Sequence, residues 1–186
     1  MKNIIYVLCL LLLGINMTNA DLDQKNTVDQ ENTVIMKLEY GDVVLKLRPD
    51  LAPNHVERIK KLTTQGFYNG LKFHRVIDGF MAQTGDPRGD GTGGSELPNV
   101  KAEFSKEPFK RGVLGMARSN NYDSANSQFF IMFKDGDFLN GQYTVFGEVT
   151  SGMEFVDNIA KGEPPIKPDE IISMKIQEKI NLINQE

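Results

Sequence analysis

A mainly β fold, a closed antiparallel barrel with helices over its ends, is what this sequence predicts. Three observations predict it. Short apolar runs bounded by Gly, Asp or Asn recur along most of the chain. The first two alternate with period two on either side of a single glycine. Only two stretches carry helical spacing, and they lie far apart.

Order begins where Val34, Met36, Leu38 and Tyr40 alternate with Lys37 and Glu39. Beyond Gly41, Val43, Leu45 and Leu47 alternate with Asp42, Lys46 and Arg48, so the two segments read as a hairpin. Pro53 suits the first turn of a helix that turns Val56, Ile59 and Leu62 inward and stops at Gly66. Strand-like runs follow at Phe73 to Ile77, Phe80 to Thr84, Val113 to Ala117, Gln128 to Phe133 and Thr144 to Val149. A second helix is expected from Met153 through Val156 and Ile159 to a stop at Gly162, with Pro164 and Pro165 just beyond. Ile171 to Ile176 supplies a last strand.

The ends differ from this body. Lys2, an apolar run from Ile4 to Ile15 and Thr18-Asn19-Ala20 have the order of a secretory signal peptide, with cleavage expected after Ala20. The run is short against the roughly 20 residues a membrane-spanning helix needs, so no membrane attachment is expected after cleavage. The one cysteine, Cys9, lies inside it, and the mature chain would be cysteine-free with a net charge of about −5. Such a chain suits the periplasm if the host has two membranes, or secretion otherwise. Residues 21–33 are polar and read as a flexible leader, 34–176 as one domain, and 177–186 as a tail.

Composition narrows the function. With a formal charge of −4 and pI near 5.3 the chain lacks the excess of Lys and Arg that a phosphate-backbone binder needs, and no nucleic-acid partner is expected. Gly89-Asp-Gly91-Thr-Gly93-Gly94 fits the dinucleotide pattern, but Pro98 spoils the helix that must start there, so these glycines read as a loop. Two histidines, His55 and His74, and no mature cysteine argue against a metal site, and neither histidine sits in a nucleophile motif.

Four segments carry more: Phe73 to Asp86, Gly112 to Arg118, Asn126 to Ile131 and Phe138 to Gly147. In order and spacing they resemble the cyclophilin family of peptidyl-prolyl cis/trans isomerases over about Val34 to Ile176. The resemblance implies an eight-stranded barrel capped by two helices, with a shallow apolar pocket on its outer face and no cofactor. Carried over by position, Phe80, Met81, Phe130 and Leu139 would line the proline pocket. Arg75 and Gln83 would make polar contacts beside the rotating bond, with Gln128 near them, and Phe80 would stand with the catalytic pair. Ala117 and Arg118 would offer backbone groups to an extended substrate, Gly91 would flank the groove, and Phe138 and Tyr143 would form its rim. At those rim positions animal relatives have Trp and His, and Phe138 and Tyr143 look instead like the exported bacterial members. Arg118 stands where many relatives have Asn. The implied partners are proline-containing unfolded or flexible polypeptides, met by a monomer, and cyclosporin is expected to bind weakly because the rim Trp is missing. A binding module with little turnover would need the pocket alone, whereas Arg75 and Gln83 beside it favour an enzyme.

Overall fold

The computed structural model describes residues 30–177; the expected signal peptide, most of the leader and all but the first residue of the tail lie outside them. Among the described residues there are eight strands: β1 (Thr33–Leu38), β2 (Gly41–Leu47), β3 (Arg75–Ile77), β4 (Met81–Thr84), β5 (Val113–Met116), β6 (Phe129–Met132), β7 (Val145–Ser151) and β8 (Ser173–Ile176). Two α-helices join them, α1 (Pro53–Thr64) and α2 (Met153–Asp157). Each expected strand is found, shorter by a residue or two at most ends, and β1 starts one residue early because Thr33 already pairs with Lys46.

All pairings are antiparallel, in the order β3-β4-β6-β5-β7-β2-β1-β8. Register shifts between Val44 and Leu45 and between Leu114 and Gly115 mark irregularities where β2 and β5 meet β7. An extra residue at such a place bends and twists the sheet, which here curls into a half-barrel.

The expected closed barrel is not found: the sheet is open, and β3 and β8 share no ladder. The segment between α2 and β8 enters the seam instead. Val76 and Gly162 exchange both backbone hydrogen bonds at 2.8 Å, so the outer edge of β3 is already taken. Ahead of the two strands, Phe73 N–H donates to the Asp169 carbonyl at 2.9 Å, and Lys72 bridges Glu170. The edge of β3 is thereby paired by loop, which blunts it without closing the sheet.

The inner face of the sheet meets both helices over one core. Leu38, Leu45, Leu47, Phe73, Leu114, Phe129, Ile131 and Phe146 pack there with Ile59 and Leu62 of α1 and Val156 of α2. Helix α1 has no acidic residue in its first turn and no side-chain cap from Ala52. A distant carboxylate does that work: Glu103 accepts from the Asn54 and His55 amides at 3.2 and 3.1 Å, and pairs with His55 Nδ1 at 2.6 Å. Burial holds the His55 imidazole below its ordinary pKa, so a neutral ring donating to Glu103 anchors the helix start. The helix ends as expected, with Gly66 at φ +69°.

Helix α2 is shorter than its apolar spacing predicts. It ends at Asp157, Ile159 N–H turns back to Val156 at 3.2 Å, and the Ala160 amide is captured by the Asp169 carboxylate at 2.7 Å. The chain must leave the helix there for Gly162 to reach β3.

Candidate active site

The strand registers place the polar and apolar halves of a groove in one row across the sheet. Arg75 on β3 faces Gln83 on β4, Gln83 faces Phe130 on β6, and Phe130 faces Gly115 on β5. Residues directly opposite in adjacent strands present their side chains to the same face. Arg75, Gln83 and Phe130 thus share the outer face, while Val76, Ala82 and Phe129 beside them face the core.

Gly115 is part of this arrangement because of what it lacks. A Cβ there would run into the rings of Phe130 and Phe109, which lie stacked over it with centroids 5.7 Å apart. These rings join Met81, Val113, Met132, Leu139 and Val145 in a second apolar cluster, on the outside of the sheet. Loop contacts hold its cover in place: Phe109 N–H donates to Asn140 Oδ1 at 2.9 Å, and Gly136 N–H to the Phe109 carbonyl at 2.8 Å.

The cover is incomplete, and the opening is a groove of ≈ 880 Å³. Met81 is 1% exposed at its floor, whereas Phe138 is 64% exposed at its lip and leans on Phe80 with centroids 5.4 Å apart. The Tyr143 ring stands edge-on to Phe130 at 5.8 Å. Every site residue expected from the sequence lines this groove except Gln128.

Gln128 works from behind. Its Oε1 accepts from Gln83 Nε2 at 2.8 Å, and its own Nε2 donates to the carbonyls of Gly91 and Gly93 at 3.0 and 2.8 Å. Both ends of this amide are taken up by protein, so Gln128 ties Gln83 to the Gly91 loop. Gln83, turned by Gln128, accepts from Arg75 Nη1 at 3.3 Å. The Gly91 loop is organised by the buried Asp86, whose carboxylate accepts from the amides of Arg88, Asp90 and Gly91.

The expectation for Arg118 concerned its main chain; its side chain has contacts of its own. Its guanidinium lies between two rings, 4.4 Å from the Tyr122 centroid and 4.3 Å from that of Tyr143. Nη2 and Nε donate to the Gln142 carbonyl at 2.9 and 3.2 Å, and Nη1 to that of Ser119 at 2.8 Å. The side chain ties one wall of the groove to the other.

Six residues that line the groove are not among the expected site residues: His74, Gly89, Asp90, Gln142, Glu163 and Pro164. His74 is packed near Gly91, and burial lowers its affinity for a proton, so it is a neutral ring there. Glu163 and Pro164 enter from the loop after α2, 88 residues beyond Arg75 in the case of Glu163, and no local pattern announces them. Asp86 did leave a signal: an aspartate ahead of Pro87 and a glycine-rich loop is a common turn organiser.

A sequence model of the cyclophilin type peptidyl-prolyl cis-trans isomerase/CLD family matches residues 33–176. The chain belongs to this family. It is 60% identical over 168 residues to a probable peptidyl-prolyl cis-trans isomerase of Brucella suis, covering 82% of this chain and 86% of that protein. It is 45% identical over 129 residues to peptidyl-prolyl cis-trans isomerase B of Bacillus subtilis, covering 68% and 89%. Among solved structures it matches a cyclophilin from Hirschia baltica with a TM-score of 0.74 and 29% identity, covering 86% of this chain and 80% of that one. A cyclophilin type isomerase from Cryptosporidium parvum, crystallised in the presence of the dipeptide Ala-Pro, matches with a TM-score of 0.74 and 30% identity, covering 79% and 99%. The protein is a peptidyl-prolyl cis-trans isomerase.

Proposed function

We propose that Arg75 and Gln83, beside the pocket of Phe80, Met81, Phe130 and Leu139, rotate X-Pro bonds in exported polypeptides and so assist their folding. One observation carries the assignment of roles: Arg75, Gln83 and Phe130 lie in a single row across three strands, so a proline ring over Phe130 has its amide within reach of a cationic donor.

The chemistry follows from the bond itself. Rotation costs roughly 18–20 kcal/mol because the nitrogen lone pair is delocalised into the carbonyl. Twisting localises that pair on nitrogen, where Arg75 can donate to it, while the planar amide offers almost nothing. A contact made only in the transition state accelerates the step, and a charge-assisted hydrogen bond contributes about 1.5–3 kcal/mol. The pocket holds the ring still while Gln83 and the Ala117 main chain steady the other side, so one end turns against the other. No proton is transferred and no covalent intermediate forms.

The test is an NMR exchange measurement on a short Ala-Pro peptide. Arg75→Ala is expected to lower turnover ten-fold or more with its fold intact. Native turnover in a folded variant would remove Arg75 from the mechanism.

Export is proposed from residues 1–20, with Asp21 as the mature N-terminus and the periplasm as destination where the host has two membranes. Intact-mass measurement of the exported protein tests this, and a mass that includes the apolar run would overturn it.

A further inference from the structure

Arg75 has a second neighbour that the row across the sheet does not include. The outer edge of β3 is bridged by Gly162, which exchanges both backbone hydrogen bonds with Val76 at 2.8 Å. Continuing that antiparallel register by one residue sets Glu163 directly across from Arg75, as β4 sets Gln83 across from it on the other side. Opposite charges at such positions attract. The Glu163 carboxylate accepts from Arg75 Nε at 2.7 Å, a better bond than the 3.3 Å contact from Nη1 to Gln83.

This matters because Arg75 is not packed. Its side chain is 42% exposed and that of Glu163 is 52% exposed, so burial does not select one rotamer of the long arginine chain. Arginine has much rotamer freedom to lose, and a donor that must first be ordered contributes less in the transition state. With Nε on Glu163 and Nη1 on Gln83, the guanidinium plane is held from both flanks. Nη2 makes no hydrogen bond to any described residue and is left for the substrate.

We propose that Glu163 is a positioning residue for Arg75, fixing the guanidinium in the orientation that donates to the twisting amide. This rests on Arg75 being the catalytic donor, and the experiment separates the two claims. Turnover and KM for an Ala-Pro peptide are measured by NMR exchange for the native protein, Glu163→Ala, Glu163→Gln, Arg75→Ala and the Arg75→Ala/Glu163→Ala double variant, with thermal melts on each.

Glu163→Ala is expected to lower kcat about two- to five-fold, the range of an exposed ion pair, with KM and melting temperature unchanged. Glu163→Gln keeps an acceptor and recovers part of the loss. In the Arg75→Ala background the Glu163 change has no further effect. The Arg75 Nε–H signal, slowed in exchange by the carboxylate in the native protein, exchanges faster in Glu163→Ala. Native kcat in Glu163→Ala beside an impaired Arg75→Ala would overturn the positioning role alone, as would an equal loss in both backgrounds. Native turnover in Arg75→Ala would overturn both claims.

Discussion

The sheet carries two apolar surfaces, and they have opposite fates. On β6, Phe129 and Ile131 face inward and are fully buried in the core shared with both helices; Phe130 and Met132, alternating with them, face the outer cluster. The inner surface is closed on every side. The outer one is left open where Phe80 and Tyr143 stand only partly buried beside the exposed Phe138, and that opening is the groove. The same residue type is thus sealed into the core on one face and lines an open groove on the other. What separates the roles is whether covering elements can reach, a property of topology rather than of the strand.

The sharpest way to break this comparison is Phe129→Ala. Removing a fully buried ring from the inner core is expected to cost about 3–5 kcal/mol of unfolding free energy, while the folded fraction keeps its turnover per molecule. Urea denaturation checks it, and a loss below 1 kcal/mol would mean that the inner core is not the main support of the fold.

The reverse dissociation belongs to Arg75→Ala. On the outer face this half-exposed residue should leave the denaturation midpoint in place while turnover falls as described above. A parallel loss of stability would blur the two faces into one.

A smaller effect tests the open rim. Phe138 fills space at the lip but has no N–H to donate, so cyclosporin is expected to bind weakly while peptide turnover is normal. Phe138→Trp should recover part of about 1–3 kcal/mol, roughly ten- to hundred-fold in affinity. Titration of cyclosporin against isomerase activity in both forms decides it; no gain in the Trp variant would take Phe138 out of the inhibitor's reach.

The strands and the start of α1 were legible in the sequence because period-two alternation, Pro53 and Gly66 are local signals that tertiary contacts did not override. The site was legible for a different reason. Phe73 to Asp86 and Asn126 to Ile131 hold six of its twelve expected residues in two short runs, and β3, β4 and β6 bring those runs side by side. Local pattern failed where a distant segment took over a backbone group. Ile159 carries the spacing of a helix, yet α2 stops at Asp157 because the chain is drawn to β3 and Asp169. The barrel reads as closed from its strand count, yet Gly162 occupies the edge that β8 would have used.

By itself the sequence determined which residues alternate, where turns fall and which polar groups accompany the pocket residues, since these depend on neighbours along the chain. Only the tertiary structure decided that Gln128 is spent on Gln83 and the Gly91 loop, that Arg118 lies between Tyr122 and Tyr143, and that Glu163 meets Arg75. Each of these joins groups from separate segments. Hydrogen bonds and ion pairs act over a few ångströms whatever the separation in sequence, and their partners become defined only once the sheet has set its register.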